Sequence, residues 1–232
     1  MSTATAATPA ADAGLTLYHC LSARSFRPLW TLEEMGLPYK LVMLPFPPRA
    51  LAKEYLAINP LGTIPTLLHG PMRMTESAAI CQYLATRFGP SPLAVAVDEA
   101  DYGPWLNWLH FGEATLTFPQ TLVLRYTRLE PPERRQPQVA EDYRKWFLGR
   151  LRLVESVLSA QAYLAAGRFT AADISVGYAL MLADTLKLSA DFGPAVRAYY
   201  DKLRQRPGYQ AALASQERAF AEQGIDPATR VG

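Results

Sequence analysis

The chain has 232 residues, of which half are hydrophobic and 19% are charged, and its formal net charge is +2. This length allows one large or two modest domains, and the hydrophobic content supports a sizeable core, which excludes global disorder. The small charge without a long basic run argues against nucleic acid as the main partner. No apolar stretch approaches the roughly 20 residues that a membrane span needs, so no membrane association is predicted.

Residues 1–14 are rich in Ala and Thr and contain no Lys or Arg. Targeting peptides carry basic residues, so we interpret this segment as a disordered tail rather than a signal or transit peptide. The two cysteines, Cys20 and Cys81, form neither a C-x-x-C pair nor a metal-ligand set, and no metal site is predicted. A reducing cytoplasm is the expected location.

Short apolar runs alternate with helical patterns in the first 90 residues. Gly36 ends the first helix, because glycine readily adopts the left-handed conformation that closes helices. The predicted elements, in chain order, are a strand at 15–20, a helix at 26–35, a strand at 39–44, a helix at 49–57, strands at 63–68 and 72–74, and a helix at 75–88. The first part of the chain is therefore predicted to have a β-α-β-α-β-β-α order.

No strand pattern appears after the sequence GPSP at 89–92, which breaks the third helix and begins a linker. A helix is expected to run from about Trp105 to Pro119, and a sustained apolar stripe over 139–158 predicts another. Thr170 and Asp173 form the T-x-x-D pattern of a capping box before the next helix. Two more helices, near 192–205 and 208–222, complete an all-helical second half.

The most informative stretch is 59–77, which reads NPLGTIPTLLHGPMRMTES. Pro60 and Gly62 indicate a turn, and Pro65 stands near the start of the following strand, where a missing N–H is tolerated. Glu76 and Ser77 stand just before the apolar run of a helix. This order and spacing resembles the pattern N-P-x-G-x-[IV]-P-x-L followed by E-S, which marks the cytosolic glutathione transferases.

The resemblance covers about residues 15–222 and implies a two-domain architecture. The expected fold is an α/β thioredoxin-like N-terminal domain followed by an all-α helical C-terminal domain. The implied boundaries are a tail at 1–14, a glutathione-binding domain at 15–89, a linker at 90–97, a helical domain at 98–222 and a C-terminal tail at 223–232. The family also implies a homodimer and glutathione as co-substrate, without a metal.

The resemblance implies a set of glutathione-binding residues. The Ile64–Pro65 bond would be cis, and the backbone of Ile64 would pair with the cysteinyl part of the tripeptide as an added strand. Ser77, at a helix N-terminus, would hold the γ-glutamyl carboxylate, and Glu76 would hold the ammonium group. Thr63 stands where many relatives have a basic residue for the glycyl carboxylate. The alternative is that Thr75 caps the helix and that Glu76 complements its dipole.

Glutathione must react as its thiolate, which a hydroxyl that donates a hydrogen bond to the sulfur would stabilise. Ser22 is the preferred candidate, because it follows the first strand at the offset that resembles the serine-using theta, zeta and tau classes. The alternatives are Tyr18, as in the tyrosine-using classes, Cys20, as in thiol-transferring classes, Arg24 and Ser25. Ser25 is also predicted to cap the first helix.

In the family the second substrate lies between the domains, against the first long helix of the second one. Trp108, Phe111, Thr115 and Phe118 share one face of that predicted helix and would line an apolar pocket, although core packing explains them equally well. The implied function is transfer of glutathione to a hydrophobic electrophile. A glutathione-dependent peroxidase or thiol transferase and a non-catalytic glutathione- or ligand-binding protein remain as alternatives.

Overall fold

The computed structural model describes residues 14–230, and the tail predicted for residues 1–14 lies almost entirely outside this range. The first half contains the strands β1 (Leu15–His19), β2 (Lys40–Met43), β3 (Thr66–His69) and β4 (Met72–Met74) and the helices α1 (Phe26–Met35), α2 (Pro48–Leu51) and α3 (Ser77–Arg87). The second half contains α4 (Tyr102–Phe111), α5 (Phe118–Leu124), α6 (Pro137–Leu158), α7 (Ala171–Thr185), α8 (Pro194–Arg204) and α9 (Pro207–Glu222).

The four strands form one mixed sheet in the order β2-β1-β3-β4. β1 is parallel to β2 and antiparallel to β3, so Leu17 lies between Leu41 and Leu67. Leu17 and Leu67 are fully buried, as an alternating strand that faces a core requires. This sheet with its crossing helices, followed by a helical half, confirms the predicted thioredoxin-like and all-α architecture.

Two predicted elements of the first half differ from the structure. The helix expected at 49–57 is divided into α2 and a 3-10 helix, Lys53–Ala57, because Ala52 has the non-helical dihedrals φ −132 and ψ 74. β3 begins at Thr66 rather than at residue 63. The carbonyl of Thr63 instead accepts hydrogen bonds from Tyr55 Oη at 2.7 Å and Asn59 Nδ2 at 2.9 Å, which keeps it out of the ladder.

The long helix of the second half runs past its predicted end at Pro119. Between α4 and α5 the helix widens into a π-helical segment, Gly112–Thr117, and a second one, Arg125–Leu129, follows α5. Thr117 Oγ1 donates to the Gly112 carbonyl at 2.7 Å within the first segment. A proline has no N–H and displaces the carbonyl four residues earlier, and the widened turn before Pro119 accommodates both effects.

The helix α1 joins the two halves of the molecule. Trp30 on α1 is fully buried, and its ring packs edge-on against Tyr209 of α9 at 4.9 Å. A Cβ on Gly177 of α7 would lie 2.9 Å from the Trp30 ring, so only glycine allows this approach. α7 itself begins with the predicted capping box between Thr170 and Asp173. This packing fixes the start of α1, where the candidate site lies.

The chain end also lies against the first half. Gln223, just after α9, accepts a hydrogen bond from the Met43 N–H at 2.8 Å and donates to the Leu41 carbonyl at 2.9 Å. These contacts cover part of the free edge of β2, which would otherwise expose unpaired backbone groups. Across residues 14–230, no helix has both the length and the apolar character required to cross a membrane.

Candidate active site

The turn before Pro65 is organised by the buried side chain of Asn59. Asn59 Oδ1 accepts from the Leu61 N–H at 3.1 Å, and the Asn59 carbonyl accepts from the Gly62 N–H at 2.8 Å. Gly62 has φ +61, and a Cβ there would lie 2.9 Å from Arg49 Cβ, so this position needs glycine. The Ile64–Pro65 bond that follows is cis, as predicted. Neither backbone group of Ile64 is hydrogen-bonded to another residue in the range 14–230.

The start of α3 faces the same space. Glu76 occupies the N-cap position, Ser77 is the first helical residue, and no side chain caps this end. The alternative that Thr75 caps the helix is therefore wrong. The carboxylate of exposed Glu76 has no hydrogen bond or ion pair with residues 14–230, which leaves it available to a ligand. The free N–H groups of the first turn favour an anion at the same place.

A fully buried arginine lies behind the start of α3. Arg27 of α1 is 0% exposed, and burying a guanidinium is tolerated only when its donors are satisfied. The side chain donates to five acceptors: Ser77 Oγ at 3.2 Å, Thr117 Oγ1 at 2.6 Å, the Ser175 carbonyl at 3.2 Å, the Gly112 carbonyl at 3.1 Å and Glu113 Oε2. Arg27 thus joins Ser77 to the π-helical segment and places a positive charge behind the anion-attracting helix end.

A second arginine shares the carboxylate of Glu113. Arg24 Nε donates to Glu113 Oε1 at 2.7 Å, and Arg24 Nη2 donates to Thr121 Oγ1 at 2.8 Å. Burial opposes ionisation of Glu113, but the charges of Arg27 and Arg24 outweigh it and hold the pKa of Glu113 below its usual value. Burial likewise opposes the charge of Arg24, and the attraction of Glu113 outweighs it, so the pKa of Arg24 is raised. The three groups together carry one net positive charge.

Two adjoining cavities meet at Arg24, Thr63 and Ile64, which line both. We call the first, of about 310 Å³, the tripeptide cavity. All five residues predicted to bind glutathione line it: Thr63, Ile64, Pro65, Glu76 and Ser77. The second, of about 240 Å³, we call the apolar cavity, because its walls are mainly apolar side chains: Phe46, Pro47, Leu124, Leu129 and Leu182.

Ser22, the predicted thiolate-stabilising residue, lies in the loop between β1 and α1 but does not line either cavity. It has a positive φ of 56, which is rare for a residue other than glycine. Its N–H donates to Gln216 Oε1 of α9 at 3.0 Å, and Gln216 Nε2 lies 3.4 Å from Ser22 Oγ. Gln216 Oε1 also lies 3.0 Å from His19 Nε2. Burial lowers the pKa of His19 to about 4, which keeps the imidazole neutral.

The other thiolate candidates occupy distinct environments. Tyr18 is half-buried on β1, with its ring 5.4 Å from that of Tyr55. Cys20 is fully buried, and burial raises the pKa of its thiol well above the usual range. Ser25 stands at the N-cap of α1, but its predicted capping bond is absent, because its hydroxyl instead bonds the backbone N–H of Cys20 at 3.3 Å. Among the candidates for stabilising the thiolate, only Arg24 lines the two cavities.

The four residues predicted for the electrophile pocket are not brought together at the cavities. Trp108 is buried in the core and packs edge-on against Phe111 at 5.0 Å. Phe111 and Thr115 line a separate surface depression on α4 and the π-helical segment that follows it, and Phe118 is 54% exposed. The widened helical segment between residues 112 and 117 shifts the residues that a regular helix would place on one face.

Four site residues gave no motif in the sequence: Arg27, Glu113, Thr121 and Tyr178, a residue of α7 that lines the apolar cavity and whose ring lies 4.3 Å from the guanidinium carbon of Arg27. Arg27 did carry one usable signal, since it is a charged residue inside the otherwise apolar run SFRPLW of α1. A charge at such a position indicates a buried ion pair or a functional role. Glu113, Thr121 and Tyr178 carried no comparable signal, because their relevance depends on tertiary contacts with α1 and with Arg24 in the loop before it. Within residues 14–230, no group of three or more His, Cys, Asp or Glu residues could hold a metal ion.

The known proteins that this chain resembles in sequence and in structure are glutathione transferases. Residues 21–87 match the family model "Glutathione S-transferase, N-terminal domain". The chain is 30% identical over 195 residues to probable glutathione S-transferase GSTF2 of Oryza sativa, an alignment that covers 77% of this chain and 86% of the relative. The structure resembles glutathione transferase URE2P6 of Phanerochaete chrysosporium in complex with oxidized glutathione, with a TM-score of 0.77, 28% identity and coverage of 88% and 97%.

A second solved structure shares this likeness. Ure2p5 of the same fungus, cocrystallized with 1-(S-glutathionyl)-2,4-dinitrobenzene, gives a TM-score of 0.77 at 26% identity and covers 90% of this chain and 96% of that one. The identity to the rice relative extends over both halves of the fold, and the family model matches the half that contains the tripeptide cavity. The chain therefore belongs to the glutathione S-transferase family.

Proposed function

We propose that the protein is a glutathione transferase that binds glutathione in the tripeptide cavity and conjugates it to a hydrophobic electrophile in the apolar cavity. The observation that carries this proposal is the junction of the two cavities at Ile64, which precedes the cis Pro65 and whose backbone groups have no hydrogen-bond partner among residues 14–230. An extended peptide that pairs with Ile64 as an added strand would lie with its cysteinyl residue next to the apolar cavity.

The charges of the tripeptide cavity fit the γ-glutamyl end of glutathione. Its carboxylate is assigned to Ser77 and the free N–H groups of the first turn of α3, in front of the buried charge of Arg27. Its ammonium is assigned to the carboxylate of Glu76, which forms no ion pair with the described part of the chain. Exposed Thr63 lies toward the glycyl end, where its hydroxyl would donate to the glycyl carboxylate.

We assign stabilisation of the thiolate to Ser22. Its place in the loop after β1, two residues before Arg24, supports this assignment, and its Oγ accepts from Gln216 Nε2, which leaves its own O–H free to donate to sulfur. A free thiol with a pKa of about 8.5 is only about 3% ionised at pH 7, and one charged hydrogen bond, worth about 1.5–3 kcal/mol, would lower that pKa by one to two units. Arg24 is the competing residue, because it is cationic and lines both cavities.

Thiol transfer through Cys20 has little support. The thiolate is the reactive form, and a buried cysteine with a raised pKa is inert toward disulfides. Cys20 has no exposure, and its Sγ contacts the Pro45 carbonyl at 3.7 Å. Cys20→Ser should therefore leave turnover unchanged.

Titration of the protein with glutathione in a calorimeter, followed by turnover with 1-chloro-2,4-dinitrobenzene, tests the proposal. In that reaction the thiolate sulfur bonds to the ring carbon, chloride leaves, and the thiol proton passes to solvent. We expect saturable heat and a conjugation rate well above the rate without protein. Absence of both heat and rate enhancement contradicts the proposal, and heat without rate enhancement favours a non-catalytic binding protein.

The family likeness also supports a cytoplasmic homodimer, although every contact described above is made within one chain. We expect light scattering at micromolar concentration to give twice the chain mass of 25.7 kDa. A mass near that of one chain rules the dimer out. Localisation of a fluorescent fusion tests the cytoplasmic assignment.

A further inference from the structure

Gln216 of α9 is a buried polar residue whose partners all lie in the other half of the molecule. It is 1% exposed, and within residues 14–230 the hydrogen bonds of its amide go to the end of β1 and the loop that follows. Oε1 accepts from His19 Nε2 and from the Ser22 N–H, each at 3.0 Å, and Nε2 donates to Ser22 Oγ at 3.4 Å. A buried amide is costly without partners, so this contact ties the Ser22 loop to the helical half.

These hydrogen bonds fix the direction in which the amide of Gln216 points. The N–H of Ser22 can only donate, so the atom that faces it is the acceptor Oε1. His19 Nε2 shares that acceptor and must therefore carry the imidazole proton. Burial lowers the pKa of His19, so the ring is neutral, and its Nδ1, which has no partner among residues 14–230, is the unprotonated nitrogen. A reversed amide would set its NH2 group against two N–H donors.

The direction of the amide decides what the hydroxyl of Ser22 can do. Because Gln216 Nε2 donates to Ser22 Oγ, the oxygen is an acceptor on that side and its own O–H needs an acceptor elsewhere. No residue in the range 14–230 accepts a hydrogen bond from it. The next two residues, Ala23 and Arg24, line the apolar cavity. A sulfur bound where the two cavities meet is therefore a suitable acceptor for this O–H.

The same amide also stabilises an uncommon backbone conformation. Ser22 has a φ of 56, in the left-handed region that residues other than glycine rarely adopt. Its N–H is bonded to Gln216 Oε1 in that conformation. Gln216 thus holds both the backbone and the hydroxyl of Ser22. A donor that is held in place before charge develops needs no reorganisation during the reaction.

We propose that Gln216 is a positioning residue that directs the O–H of Ser22 toward the sulfur of glutathione. This inference rests on the proposed function and on the assignment of Ser22 within it. Gln216 lines neither cavity, so it acts only through Ser22. Its Nε2 occupies one side of Ser22 Oγ and leaves the O–H to the thiolate, while Ser22 keeps its proton. His19 supports this arrangement, because its bond to Oε1 keeps the amide from reversing.

The test measures the pKa of the bound glutathione thiol from thiolate absorbance against pH. Gln216→Met keeps the length of the side chain and removes both the donor and the acceptor. We expect the thiol pKa to rise by about half a unit to one unit, because the hydroxyl of Ser22 can then turn away from sulfur. Turnover of 1-chloro-2,4-dinitrobenzene at pH 7 should fall about threefold to tenfold and should largely return at pH 9. Gln210→Met, the same change at an exposed position of α9, is the matched control and should alter neither quantity.

Two further comparisons separate the effect on the hydroxyl from an effect on the fold. In the Ser22→Ala background, Gln216→Met should cause no further rise in the thiol pKa, because the group that it directs is absent. Gln216→Glu keeps the acceptor for His19 and for the Ser22 N–H but replaces the donor by a second acceptor, which takes the Ser22 O–H. Its rise in thiol pKa should be about one unit larger with Ser22 present than in the Ser22→Ala background, where only its charge acts.

The outcomes separate this inference from the proposed function. If Ser22→Ala raises the thiol pKa and the Gln216 variants do not, or if they raise it equally in both backgrounds, Ser22 keeps its role and the role of Gln216 is refuted. If Ser22→Ala has no effect, the assignment of Ser22 fails and this inference fails with it. If wild-type protein does not bind glutathione, the proposed function itself fails. A rise that requires Ser22, with Gln210→Met unchanged, establishes the role.

Discussion

The two cavities are built in different ways. The tripeptide cavity is made largely by backbone: the unpaired groups of Ile64, the turn held by Asn59 and the free N–H groups at the start of α3. The apolar cavity is made by side chains from several elements, with Arg24 at the junction and Tyr178 on α7. Backbone groups survive substitution of the residues that carry them, whereas side-chain walls do not. The first cavity should therefore be robust to single substitutions, and the second should be easily altered.

Substitution of Arg27 should have the largest effect, because Arg27 contacts residues that line both cavities. It bonds Ser77 and Glu113 of the tripeptide cavity and packs on the ring of Tyr178 in the apolar cavity. Arg27→Leu leaves Glu113 without its buried partner and removes the donor to Ser77. Breaking a buried ion pair in this way costs about 3–5 kcal/mol, and we expect that loss in the free energy of unfolding measured with urea. Arg24→Leu, at a side chain that is 31% exposed, should cost clearly less. Equal losses in the two variants contradict the comparison.

The contact between the end of β1 and α9, made by His19 and Gln216, should make the stability of the fold depend on pH. His19 has a folded pKa of about 4 and an ordinary pKa of 6.5, so between these values the unfolded chain binds the proton and the folded chain does not. Stability is therefore complete above pH 6.5 and falls as the pH is lowered toward 4, by about 3 kcal/mol for this group. His19→Gln should flatten that part of the profile. A wild-type minus variant difference that is constant from pH 7 to pH 4 contradicts the assignment.

Thiolate stabilisation is the next effect in size. Ser22→Ala should raise the pKa of bound glutathione by one to two units, because it removes one charged hydrogen bond. Turnover at pH 7 should fall about tenfold or more and should largely return at pH 9, where the thiol ionises unaided. Thiolate absorbance against pH measures the shift.

The same titration distinguishes Ser22 from its competitors. Tyr18→Phe should leave the thiolate pKa unchanged, since Tyr18 lines neither cavity. If Ser22→Ala leaves the titration unmoved and Arg24→Gln shifts it upward, the cation at the junction of the cavities replaces Ser22 as the stabilising group. If Tyr18→Phe alone shifts it, the tyrosine assignment replaces both.

The contrast between the cavities also explains which residues could be predicted from the sequence. All residues that line the tripeptide cavity except Arg24 and Glu113 lie within 59–77, and their role depends on local geometry: a turn, a cis proline and a helix start. Local geometry is encoded by residue types at short spacing, so it can be predicted. Tyr178 and Glu113 approach Arg27 only after α7 has packed on α1 and the segment Gly112–Thr117 has come to lie beside Arg27. Trp108 and Phe118 shared a helical face in the sequence, but the helix between them is widened before Pro119, and Arg27 holds both ends of that segment through the Gly112 carbonyl and Thr117 Oγ1.

The smallest effects are expected in the tripeptide cavity itself. Ser77→Ala removes one hydroxyl contact to the γ-glutamyl carboxylate but leaves the N–H groups of α3 and the charge of Arg27 in place. Glu76→Ala removes the acceptor for the ammonium but leaves the Ile64 backbone intact. Each change should weaken glutathione binding by about 1 kcal/mol or somewhat more, which is roughly fivefold to tenfold in Kd by calorimetry. Ser159→Ala, at the exposed end of α6, is the matched control and should have no effect. Complete loss of binding in Ser77→Ala would show that one side chain, rather than the backbone, dominates this cavity.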